Sequence, residues 1–159
     1  MLTLPQLIEE DVAQLQRLLR ELRGQSDATA ALLIDKGGFL LAQHGETAQF
    51  DPTTIAALSS GAYLANQCIA NLVQEKNFDS VYQQGEKFSL LITNVDEHCL
   101  LVIIFQAHLS VGAVKFFAAQ ARTQVAAQMQ VARARNPDAG LDLSVLNLEN
   151  PSVVFRKKG

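Results

Sequence analysis

The sequence predicts an α/β chain of the α+β kind, a sandwich of order α-β-β-α-β-β-β-α around one antiparallel five-stranded sheet. Three observations carry this expectation. Stretches with apolar residues at helical spacing open, divide and close the chain, two apolar runs flank the glycine turn Asp35-Lys36-Gly37-Gly38, and Cys99 to Phe105 reads CLLVIIF without a polar residue.

The first helix is expected from Thr3-Leu4-Pro5-Gln6, which has the form of a capping box with an early proline. Leu4, Leu7, Ile8, Val12, Leu15, Leu18, Leu19 and Leu22 recur at helical spacing, and Gly24 supplies a stop. Ala30 to Ile34 and Phe39 to Ala42 form a β-hairpin, because Gly37 and Gly38 tolerate the positive φ of its turn. Asp51-Pro52 is an N-cap followed by proline at the first helical position, opening a second helix that runs to about Glu75. Strands follow near Ser80 to Gln83, from Lys87 to Thr93 and from Cys99 to Phe105, the last covered on both faces. Ser110 caps a third helix that ends near Asn136-Pro137, with Val114, Phe117, Ala118, Ala121, Val125 and Met129 on one stripe.

A length of 159 residues fits one domain with a substantial core, and 48% hydrophobic against 18% charged residues excludes wholesale disorder. That balance gives a sticky surface unless a partner covers part of it. A net charge of −3 offers no broad positive field for phosphate backbones, so nucleic acid is not an expected partner. The N-terminus MLTLPQLIEE turns acidic before a signal-peptide core forms, and no stretch is pure enough for a membrane span, so a cytoplasmic protein is expected. Cys68 and Cys99 fall in apolar patterns and read as reduced, buried thiols.

The most informative segment is Thr53 to Gln74, which holds no charged residue. A helix with one face in water collects Lys and Glu there, so this one needs cover on more than one face. At 100° per residue, Ile55, Leu58, Ala62, Ala65, Ile69, Leu72 and Val73 form a bulky stripe, expected on the sheet. A third of a turn away, Ala57, Ser60, Gly61, Leu64, Cys68 and Asn71 form a smaller, uncharged stripe, the candidate partner-binding surface. The alternative is that this stripe packs on the chain's own first or last helix. The sector of Ala56, Ser59, Tyr63, Asn66, Gln67, Ala70 and Gln74 is more polar and is expected to face water or a partner's rim.

Catalytic patterns are sparse. His44, His98 and His108 lie in separate segments without metal-ligand spacing, so no metal and no cofactor are expected. Asp96-Glu97-His98 sits between two strands and reads as a tight turn rather than an acid/base group. Ser59-Ser60-Gly61 lacks the strand-turn-helix setting of a nucleophile elbow, and the chain has no phosphate-binding glycine loop. Arg122, Arg133 and Arg135 have the chemistry of arginine fingers, but bases late in a helix equally answer its dipole. No catalytic residue is assigned.

The strings ALLIDKGGFLLA, DPTTIAALSSGAYLANQCIANLVQEKNF, YQQGEKFSLLIT and CLLVIIF followed by SVGAVKFF together resemble the roadblock family of dynein light chains and GTPase regulators, most closely its bacterial gliding-motility and polarity branch. The resemblance implies a roadblock/profilin-like fold and a homodimer in which two sheets join into one and the second helices lie side by side as a platform. It further implies a Ras-like small GTPase of the MglA type as partner, whose hydrolysis is accelerated by rearrangement of the GTPase's own residues. The chain is then a GTPase activator without catalytic residues of its own, acting in cell polarity or motility; the alternative is a non-catalytic roadblock scaffold. The same element order also suits profilin-like and PAS-like ligand sensors, but nothing polar and convergent marks such a pocket.

Residues 1–136 are expected to be the roadblock domain and 137–159 a tail that docks on its own domain, its dimer mate or a partner. Leu141, Leu143, Leu146, Leu148 and Phe155 are its docking residues, because linkers are not this apolar.

Overall fold

The computed structural model describes residues 4–135. Thr3, the boundary after residue 136 and the tail residues Leu141, Leu143, Leu146, Leu148 and Phe155 lie outside the described residues. Within them the expected order is found: α1 (Glu9–Ser26), β1 (Ala30–Asp35), β2 (Leu40–Gly45), α2 (Pro52–Leu72), β3 (Ser80–Gln84), β4 (Phe88–Asn94), β5 (Cys99–Gln106) and α3 (Val111–Arg135).

The strands form one antiparallel sheet in the order β2-β1-β5-β4-β3, so β2 and β3 are its edges. β5 is central and every residue from Cys99 to Phe105 is buried, as continuous apolarity requires. The pleat sends Cys99, Leu101, Ile103 and Phe105 to a layer made by α1 and α3, where Leu15, Leu19, Val114, Val125 and Met129 meet them. Leu100 and Val102 point the other way, joining Leu32, Ile34 and Ile92 beneath α2. The sandwich is therefore asymmetric, with two helices on one face and one on the other.

Three local expectations are corrected. α1 begins at Glu9 and not at Pro5, because the working cap is Asp11, whose carboxylate accepts the Ile8 N–H at 3.0 Å, with Glu9 and Glu10 also in the dipole-favoured first turn. The helix passes through Gly24 and stops at Asp27 (φ 57°), a residue type that tolerates the left-handed region; Ser26 donates back to the Leu22 carbonyl just before it. Cys99 is buried, where its surroundings and the nearby Asp96 and Asp35 push its thiol up, but Cys68 is exposed on α2.

Candidate functional site

The helix that lies alone on its face of the sheet is held by small and polar residues. Asp51 caps it, accepting from the Thr53 and Thr54 N–H groups at 3.2 and 3.4 Å, and Pro52 fits the first turn, where its missing N–H costs nothing. Ala56, Ser59, Ser60, Tyr63 and Ala70 are its buried residues, and Ala56 and Tyr63 pack on Leu32, Ile34, Leu100 and Val102. Ser60 Oγ donates to the Lys36 carbonyl at 2.5 Å, pinning α2 to the β1–β2 turn, and Gln67 donates to the Phe78 carbonyl at 3.1 Å. Lys36 Nζ lies 5.7 Å from the centroid of the Tyr63 ring, an attractive cation–π placement, and partial burial lowers its pKa.

Gly38 is the closest approach in this contact. Its φ is +96°, and a Cβ there would stand 3.1 Å from Ala57 Cα. Gly38→Ala is expected to cost about 1–2 kcal/mol from backbone strain and contact together, against about 1 kcal/mol for Ser60→Ala, which loses one hydrogen bond. Urea midpoints of the two variants check the order; equal midpoints would contradict it.

The outcome on α2 reverses one expectation. The sector assigned to water supplies Ala56, Ser59, Tyr63 and Ala70 to the sheet side, while the bulky stripe assigned to the sheet faces out. Leu58, Ile69, Leu72 and Val73 are 69%, 49%, 82% and 62% exposed, with Ala65 exposed and Ile55 and Ala62 half-buried. The physical reason is closeness where α2 passes the β1–β2 turn: alanine and serine fit beneath it there, and the one large buried side chain, Tyr63, packs a turn further on.

Of the candidate partner-binding residues, Ala57, Gly61, Leu64, Cys68 and Asn71 are exposed, while Ser60 is buried under the helix. The stripe does not pack on the chain's own first or last helix, since α1 and α3 occupy the opposite face of the sheet. Both stripes together make one outward face, without a charge from Thr53 to Gln74.

That face continues into a groove of about 530 Å³ between α2 and the β3–β4 side of the sheet, where Ile55, Leu58 and Ala62 face Phe88, Leu90 and Ile92. Phe50 and Phe88 meet edge to face at its wall, 5.4 Å between centroids. The groove is open and apolar; its polar lining is Ser59, Ser89, Gln83 and Gln84, with no ionised side chain to orient a small ligand. Beside it runs β3, whose outer edge carries no strand among the described residues.

The groups with catalytic or metal-binding chemistry stand elsewhere. Asp96 Oδ1 accepts the N–H groups of His98 and Cys99, both at 2.8 Å, so Asp96-Glu97-His98 is a turn. Arg122 reaches the Asn94 carbonyl, Arg133 lies 3.9 Å from Asp96 and from Glu97, and Arg135 clasps Asp11. Among the described residues no cluster of three or more His, Cys, Asp or Glu has metal-binding placement, and no helix is long and apolar enough to cross a membrane. The clasp and the α2 groove were not visible to periodicity, since each joins residues remote in sequence.

The fold and this surface define the class: an α-β-β-α-β-β-β-α sandwich of the roadblock/profilin-like type. The chain belongs to the Roadblock/LC7 domain family, whose model matches residues 14–105. Among solved structures it is similar to Myxococcus xanthus MglB, at 28% identity over 80% of this chain and 96% of that chain, with a TM-score of 0.74. It is similar to the gliding protein MglB from Thermus thermophilus, also at 28% identity, over 82% and 99%, with a TM-score of 0.74. An MglB in a tetrameric arrangement aligns at 28% identity over 83% and 99%, with a TM-score of 0.75. None of the curated proteins compared matches the sequence.

Proposed function

We propose that the chain is a homodimeric regulator of a Ras-like small GTPase of the MglA type, a GTPase-activating protein without catalytic residues of its own, acting in cell polarity or motility. The observation that carries this reading is the outward face of α2, uncharged along its whole length, with Leu58, Leu64, Ile69 and Leu72 presented to solvent. A patch of this kind marks an interaction surface. The similarity to MglB structures along nearly their full length supports the choice of partner class.

In this reading two copies pair through the free edge of β3, and the α2 helix of each fills the groove beside the other. Ala57, Gly61, Leu64, Cys68 and Asn71 then form, with their counterparts, the platform on which the GTPase sits. Ser60 acts from beneath by fixing the helix. The engagement of Arg122, Arg133 and Arg135 within the chain supports activation without an inserted arginine.

The test is phosphate release by a Ras-like GTPase at rising concentrations of this protein. A dose-dependent gain is expected. Binding without a gain would replace the proposal by a non-catalytic scaffold, and no binding would overturn both.

A further inference from the structure

On the face of the sheet opposite α2, the first turns of α1 border a second, shallow groove of about 660 Å³. Leu7, Ile8, Val12 and Ala13 give it an apolar floor, and Glu9 and Glu10 stand at its rim. Ile8 is partly open to solvent. Among the described residues neither glutamate has an ion-pair partner; the acids that do are Asp11, Glu21, Asp96 and Glu97.

The last described residue stands beside this place. Arg135 Nη1 and Nη2 donate to Asp11 Oδ2 and Oδ1 at 2.7 and 3.0 Å, so the end of α3 is fastened to the first turn of α1. The chain from Asn136 onward therefore starts within a helix width of the groove. At roughly 3.3 Å per extended residue, the stretch from Asn136 to Val153 easily turns back to it. Val153-Val154-Phe155 followed by Arg156-Lys157-Lys158 places an apolar trio and then a basic trio at the end of the sequence. This is the complement of the groove in polarity and in charge.

We infer that residues 153–158 dock on their own chain in the α1 groove, with Val153, Val154 and Phe155 against Leu7, Ile8 and Val12, and Arg156, Lys157 and Lys158 facing Glu9 and Glu10. The occupant is the chain's own end, chosen by where α3 stops and by the match of signs. Docked there, the tail is stored on the face opposite the α2 platform. The inference is independent of the GTPase reading.

Amide hydrogen exchange on the full chain tests it, read at Val12 to Gln16 with β5 amides as the reference for global folding. Reversing the tail's charges (R156E, K157E and K158E together) is expected to lower protection in the first turns of α1 and leave β5 unchanged. Phe155→Ser alone is expected to lower it as well, with the charges intact. Unchanged protection in the charge-reversed chain overturns the proposal. Protection that rises with protein concentration also overturns it, since the occupant would then be a second copy.

Discussion

If the chain activates a GTPase as proposed, Leu64→Glu is expected to abolish that acceleration while leaving the secondary structure intact. Leu64 is 53% exposed on the outward face of α2 and takes no part in the buried clusters, so the chain folds without its help. In a complex that covers this face, the new carboxylate is stripped of water with no basic residue on α2 to answer it. An unpaired buried charge costs on the order of 3 kcal/mol, which is about a hundredfold in binding. Thr123→Glu on the exposed side of α3 is the control, and it is expected to leave acceleration intact. Phosphate release by the GTPase partner, measured alongside the far-UV spectrum of each variant, checks the pair. Full acceleration by the Leu64→Glu chain would remove α2 from the contact.

The unusual character of α2 was legible in the sequence, because a helix exposed on one face rarely runs without a charge, as this one does from Thr53 to Gln74. The element order was legible for similar reasons. Asp51-Pro52 is a favourable helix start, the glycine turn suits the hairpin of two strands, and CLLVIIF needs cover on both faces. What the sequence hid was rotation about the axis of α2. Assigning Leu58, Ile69 and Leu72 to the sheet assumed that the largest apolar groups seek the chain's own core, which holds for a chain that buries its surface alone. Here Ala56, Ser59 and Ser60 take that side, because Gly38 and the Lys36 carbonyl approach the helix too closely for larger groups. The bulky residues Leu58, Ile69 and Leu72 are left exposed on the outward face.

The start of α1 was misplaced for a related reason. Thr3 to Gln6 satisfies a local pattern, but the helix starts where Asp11 accepts the Ile8 N–H, and that carboxylate is also held by Arg135, a tertiary contact that no local rule reaches. Asp11 is fully buried and also accepts from Gln128 at 2.8 Å and from the Ile8 N–H. The Arg135 hydrogen bonds are the largest influence on its pKa and, with those of Ile8 and Gln128, outweigh burial and hold it at about 2, against 3.8 for a free carboxylate.

Arg135→Ala is therefore expected to lower the urea midpoint, because it leaves the buried Asp11 carboxylate without its strongest hydrogen-bond donor. The dependence on pH has a definite sign. Asp11 is more acidic folded than unfolded, so its ion pair stabilises the fold fully above pH 3.8 and loses that contribution as pH falls towards 2. Urea midpoints of the parent chain and of Arg135→Ala should then stand far apart at neutral pH and converge between pH 4 and 2. A gap that persists undiminished at pH 2 would assign the loss to packing of the arginine stem instead. Convergence would locate the stability in the charge pair that joins the first turn of α1 to the last turn of α3, and so fix the point from which the rest of the chain departs.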